Sequence, residues 1–352
     1  MARSVSATYL TAQQAISATP YIKLLFTSKD TYTTVDLSTN SAAYGNRIIQ
    51  IDHTEEPYNE FATIVLRNYP RTIPNIRGYW TEIGYGYVTG AGNEYLGDGT
   101  NEGAPPRLWV KHQQTVSAGG KLWEVLELEG MWSKLREMLI RLGDPPLYSK
   151  SFTIDTIYAI LVSILAEGGM TLAALVEDDT IINSLQPQFS INAQPFEYAA
   201  SIIYRLLSMT KSYMRPLDDS QFEIKYPQTS DAANLTFYSD QVPYFSDYIE
   251  RANALIPNHF IVYGNEGSDK RWSAYIASAS PYGIDQAEID AYADVYKIVL
   301  AGSLTTQDEV DARAAALLIR AKAEQMAGRM VAPHDARLEL YDRIRIEDSR
   351  GL

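Results

Sequence analysis

The sequence predicts an α+β chain, mainly β, in which two β-barrel or sandwich domains flank a small α/β insert domain. Three observations predict it. Seven short apolar runs separated by turn signals fill residues 21–128, the pattern of a sandwich or barrel. Between 154 and 207 the apolar period lengthens to that of amphipathic helices. Past residue 234 strand-like runs return and end in one long helix followed by an alternating segment.

Residues 1–20 are small and polar and are expected to form an N-terminal arm. The first β domain spans 21–147, with strands at Tyr21–Phe26, Tyr32–Leu37, Ile48–Ile51, Phe61–Leu66, Gly78–Val88, Arg107–Gln114 and Lys121–Leu128. A loop at 89–106 carries Gly90, Gly92, Gly97, Gly99, Gly103 and two prolines. A glycine-rich loop of that length is an external binding loop or a contact made on assembly. Met131–Leu142 reads as a helix with Leu135, Met138 and Leu139 inward, and Gly143–Pro146 marks a boundary.

The insert domain spans 148–232. Ile154, Ile157, Ile160, Leu161, Ile164 and Leu165 form a helix stripe stopped by Gly168 and Gly169. A second helix opens at Pro195, buries Phe196, Ala199, Ile203, Leu206 and Leu207, and runs into strands at Tyr213–Pro216 and Gln221–Tyr226. The second β domain spans 233–352, with strands at Asn234–Tyr238, Leu255–Tyr263, Arg271–Ser278 and Tyr292–Leu300. Its closing helix, 305–327, starts on the capping box Thr306–Glu309. Val310, Ala314, Leu317, Leu318 and Ala321 form the buried stripe; Arg313, Arg320, Lys322 and Glu324 fall elsewhere, exposed or paired across subunits. Beyond Pro333 the period becomes two: Leu338, Leu340, Ile344 and Ile346 alternate with Arg337, Glu339, Arg343, Arg345 and Glu347, predicting one strand.

Composition narrows the function. A net charge of -13 argues against a phosphate-binding surface or a basic membrane patch. The absence of cysteine excludes disulfides, thiolate catalysis and Cys-ligated metals. No basic start followed by an apolar core opens the chain, and the longest apolar run, Ile157–Leu165, is too short to span a bilayer; a soluble protein made in the cytoplasm is expected. Tyrosine occurs 25 times against 9 Phe and 5 Trp, which suits surfaces buried on assembly and equally suits half-buried strands.

Catalytic chemistry finds little support. His53, His112, His259 and His334 lack ligand spacing, and no nucleophile elbow, phosphate loop or zinc helix motif occurs. Asp52 with Glu55–Glu56, and Glu177–Asp179, sit in turns without an aromatic cleft and read as solvated acids. The loop Gly97–Asn101 offers oxygens but lacks the EF-hand pattern. No catalytic residue, cofactor or metal is therefore assigned, and the chain is read as a non-enzyme. Trp80, Tyr85, Tyr87, Leu317, Leu318 and Tyr341 are the candidate assembly surface; Asp98 and Asn101 are candidate loop contacts.

Three stretches carry a resemblance. Phe61–Asn68 closes an apolar run on Leu-x-Asn; a helix ending near Tyr213 leads to Arg215–Pro216 and Gln221–Ile224; helix 305–327 precedes Leu338–Asp348. In this order the chain resembles the tail-tip, or baseplate hub, proteins of bacteriophages and related injection machines. The resemblance implies two tube-like β domains around an insert and a homotrimeric ring that continues the six-fold tail tube. It also implies a lumen through which DNA slides past acidic walls. Implied partners are the tail tube and distal tail proteins and the tip, spike or fibre proteins, and the implied location is the virion, assembled in the host cytoplasm. Two other readings stay open: a six-fold distal tail protein, or a carbohydrate-binding receptor protein that stacks sugars on Trp80, Tyr85, Tyr87 and the 89–106 loop.

Overall fold

The computed structural model describes residues 3–15, 17–140, 150–177, 179–191, 197–228, 230–250, 256–265, 272–277, 283–302, 304, 306–325 and 328–350. Helix α1 (Ala7–Gln14) leads into β1 (Thr19–Lys23), β2 (Leu25–Thr27), β3 (Thr34–Asp36), β4 (Ile48–Glu56), β5 (Asn59–Arg67), β6 (Trp80–Thr81), β7 (Gly84–Thr89), β8 (Gly92–Tyr95), β9 (Leu108–Ala118) and β10 (Lys121–Glu129). These strands make two antiparallel sheets, one of seven strands in the order β3-β2-β6-β9-β10-β5-β4 and one in the order β1-β7-β8. The period-two pattern works as expected: Ala62, Ile64 and Leu66 of β5 meet Leu126 and Leu128 of β10 and Leu108 and Val110 of β9 in one core. Ile22 of β1 and Tyr85 of β7 pack against that core from the smaller sheet.

Helix α2 (Met131–Glu137) is followed by β11 (Lys150–Phe152), α3 (Ile157–Glu167), β12 (Thr171–Leu172), α4 (Ile181–Ser184), β13 (Phe189–Ile191), α5 (Ala199–Leu207), β14 (Tyr213–Pro216) and β15 (Gln221–Lys225). The stripe Ile157, Ile160, Leu161, Ile164 and Leu165 is wholly buried. Each such residue contributes about 1.5–3 kcal/mol of burial free energy. Ile154 leaves the stripe and is exposed, because Thr156 caps α3 by accepting from the amide of Ala159. Pro195 and Phe196, expected to open α5, lie outside the described residues; α5 buries Ala199, Ile202, Ile203, Leu206 and Leu207. The β14–β15 hairpin turns at Asp219 and Ser220, both with positive φ.

The C-terminal part comprises β16 (Leu235–Tyr238), β17 (Asp247–Glu250), β18 (His259–Asn265), β19 (Trp272–Ala277), α6 (Gln286–Ala291), β20 (Tyr296–Leu300), α7 (Gln307–Gln325), β21 (Gly328–Val331) and β22 (Ile344–Glu347). The capping box forms as expected, Thr306 Oγ1 accepting from Glu309 N at 3.3 Å and Glu309 Oε2 from Thr306 N at 3.1 Å. The expected strand across Arg337–Glu347 is broken. Asp335 and Asp342 side chains accept from the amides of Arg337 and Glu339, Tyr341 has φ 71°, and only β22 remains, paired parallel to β16. Arg313, expected outside the stripe, is buried; the side chain of Glu324 is outside the described residues.

The chain is thus α+β and mainly β. Among the described residues its sheets stay open and no barrel closes. A second core runs from Met131, Trp132 and Leu135 of α2 through α3, α5, Met214 and Phe222 to Val262 of β18 and Val310, Ala314 and Ala316 of α7. No helix among the described residues is long and apolar enough to cross a membrane.

Candidate functional site

The N-terminal segment, the β14–β15 hairpin and the C-terminal turns meet at one charge cluster. Arg215 on β14 is 5 % exposed in its side chain and holds Glu223 at 2.9 Å, Glu339 at 2.9 Å and the Leu340 carbonyl at 3.1 Å. Glu339 also binds Arg3 at 3.4 Å, and Arg3 donates to the Ala336 carbonyl at 2.9 Å. One buried arginine therefore ties its hairpin to the C-terminal turns, where Glu339 in turn holds Arg3 of the N-terminal segment, and its fork geometry suits the task.

Beside this cluster lies a cavity of about 530 Å³ lined by Arg3, His53, Glu55, Tyr85, His334 and Asp335, among others. His53 of β4 is hydrogen-bonded through Nδ1 to Tyr85 Oη at 2.9 Å, and the Tyr85 ring meets His334 edge-on at 4.6 Å. Burial lowers the pKa of His53 to about 4, so the imidazole is neutral. Burial likewise raises Glu55. Glu60 is pushed up to about 8, first by burial and then by the charge of Glu55. Its Oε2 accepts from Met131 N at the start of α2. Gly130 is needed there, since a Cβ would sit 1.9 Å from Glu60 Oε2.

Chemically the cavity has acids and imidazoles, and among the described residues its lining includes no serine, threonine or lysine. Among the described residues no group of three or more His, Cys, Asp or Glu side chains is arranged to hold a metal ion.

The candidate surface and loop residues each make contacts within the subunit. Trp80 lies beneath the Arg107 guanidinium at 3.7 Å, and Arg107 pairs with Glu82 at 3.0 Å and with Asp219 of the β14–β15 hairpin at 2.9 Å. Tyr85 faces the cavity, and Tyr87 packs edge-on against Tyr9 at 5.3 Å. Leu317 and Leu318 lie on the inner side of α7, and Tyr341 stacks on Tyr213 at 4.8 Å. Asp98 accepts from the amides of Tyr95, Thr100 and Asn101, which makes the 97–101 turn an ordered one. Asn101 is buried and accepts from Ser6 N at 2.8 Å. The expected arm is helix α1, capped by Ser6 and anchored by buried Tyr9, whose hydroxyl donates to the Tyr85 carbonyl at 3.1 Å. The front half of the glycine-rich loop is strand β8, paired with β7. Exposed apolar side chains gather elsewhere, at Tyr292, Tyr296, Ile298 and Leu300, with others at Ile249 and Val331. Sequence reasoning passed over these because a nearly continuous apolar run such as that of β20 does not announce which face stays bare.

The fold of this mainly β chain, with helices between its open sheets, is similar to the folds of two solved phage tail proteins. It superposes on the tail protein from Neisseria meningitidis MC58 with a TM-score of 0.59 at 10% identity, covering 94% of this chain and 87% of that one. With prophage tail protein gp18 from Listeria monocytogenes EGD-e the TM-score is 0.50 at 10% identity, covering 83% and 76%. No protein-family model matches the chain, and no curated protein matches it.

Proposed function

We propose that this chain is a structural subunit of a phage tail tip: three copies form a hub ring that continues the six-fold tail tube and meets the tip or spike. The observation that carries the reading is the likeness to a tail protein over 94% of the chain, sheets and insert together. A single-domain distal tail protein would not need the insert. The carbohydrate-binding reading has no comparable support, since Arg107 covers Trp80 and α1 covers Tyr87.

On this reading the ring wall is rigid antiparallel sheet, and an excess of 13 negative charges keeps passing DNA from sticking. The subunit acts by shape and charge, without a catalytic step. Native mass spectrometry and negative-stain class averages test it: the expected particle is a three-fold ring of three chains. Six chains in a six-fold ring would favour the distal tail reading, and a monomer at every concentration would overturn both.

A further inference from the structure

In the sheet ordered β19-β18-β20, helix α7 packs on β18 and β19 and covers one face. Phe260 and Val262 of β18 are buried on that side. Alternation turns Ile261 and Tyr263 to the opposite face, beside Tyr296, Ile298 and Leu300 of β20. Those three are 64%, 53% and 62% exposed. β20 is also an edge strand: among the described residues, no strand pairs with it beyond β18. Soluble proteins guard such edges with charge, proline or bulges; here only Lys297 interrupts an otherwise apolar run.

At its Leu300 end the strip opens into a cavity of about 420 Å³ between β13, α5 and α7, lined in part by Phe189, Arg205, Val299, Leu300 and Arg313. Arg313 is 7% exposed, and among the described residues its Nη1 has no hydrogen-bond partner. Arg205 pairs with Glu197 at 3.4 Å, but no carboxylate lines the cavity itself among the described residues. Arg320 adds to the positive potential around Arg313. A buried, unpaired guanidinium costs several kcal/mol unless an acid meets it.

We propose that the β20 face and the Arg313 cavity are a docking surface for a second copy of this chain: a carboxylate of the neighbour enters the cavity, and apolar side chains cover Tyr296, Ile298 and Leu300. Charge favours a second copy as occupant, because the chain carries 43 acidic residues against 30 basic ones. Two different surfaces meeting head to tail is the contact a ring requires. The inference rests on the ring reading and names one face of its subunit contact.

The test follows the full-length chain by native mass spectrometry and sedimentation over a concentration series. Leu300→Glu, at an exposed position, is expected to keep the wild-type Tm and weaken assembly by at least about tenfold. Arg313→Met removes the unpaired charge, so it is expected to raise Tm while weakening assembly, a pairing of signs that a merely structural arginine would not produce. Ile249→Glu, exposed on the separate β17–β21 sheet, is expected to assemble as wild type. If wild type forms a trimer and both Leu300→Glu and Arg313→Met do so equally well, the docking surface is overturned and the ring stands. A wild-type dimer split by these variants would keep the surface and overturn the three-fold ring. A wild type that stays monomeric overturns both.

Discussion

Arg215 shows how much one side chain is asked to hold. Replacing it with Met leaves Glu223, Glu339 and Asp342 facing one another in a poorly solvated seam. The expected loss is about 3–5 kcal/mol in denaturant unfolding. Arg215→Lys is expected to recover only part of it, because an ammonium cannot make the forked contacts. Two other buried groups contribute pH dependences of opposite sign. The folded pKa of His53 is about 4, below the ordinary 6.5, so folding disfavours its charged form. Its contribution is whole above pH 6.5 and is lost as pH falls towards 4, a decline of roughly 3 kcal/mol. Glu60, with a folded pKa of about 8, has the opposite sign, since ionisation in the unfolded chain costs stability as pH rises from 4.5 to 8. Stability curves of His53→Gln and Glu60→Gln are expected to flatten on the acid and alkaline sides respectively. An unchanged acid limb in His53→Gln would refute the first assignment. None of this was legible in the sequence, because Tyr85, His334 and Met131, which bury or contact these groups, lie far along the chain from them.

At the scale of elements, legibility followed periodicity. The stripes of α3 and α7, the capping box of Thr306 and the β14–β15 hairpin could be read because their determinants sit within a few residues. Elements set by side-chain capping could not. Leu338 and Leu340 alternate as a strand should, yet Asp335 and Asp342 capture neighbouring amides and fold the stretch into turns. Helix α1 has no apolar stripe at all and depends on partners: Ser6 caps it and reaches Glu94 at 2.6 Å, and Asn101 holds the Ser6 amide. Asn101→Ala therefore leaves Ser6 N without its acceptor and removes one of the four donors to Asp98, whose three backbone amide donors remain. It is expected to cost about 1–3 kcal/mol and to speed amide exchange in α1 before any other helix. Uniform exchange across all helices would mean that α1 is held by Tyr9 alone.

The molecule as a whole divides its apolar core differently from its sequence punctuation. Gly143–Pro146 marks a boundary in composition, and α2 precedes it. Yet Met131, Trp132 and Leu135 of α2 pack with α3, α5 and Phe222, while the first core gathers residues from Leu24 to Leu128. Trp132 meets Phe222 edge-on at 5.5 Å and Tyr58 at 4.9 Å, so α2 joins the turn between β4 and β5 to the second core. The second core continues to β18 and α7, where Val310 and Ala314 are wholly buried. Cooperative units follow shared cores rather than boundaries along the chain. In native-state hydrogen exchange, α2, α3, α5 and α7 are therefore expected to open together with one free energy, and β5, β9 and β10 with another. If the amides of α2 exchange with those of β5 and β10 instead, the packing of α2 on α3 and α5 is the weaker joint and the helix belongs to the sheet. If the chain forms the proposed ring, the first outcome would let a contact at the β20 face bear, through Val299 and α7, on the same core that packs α2.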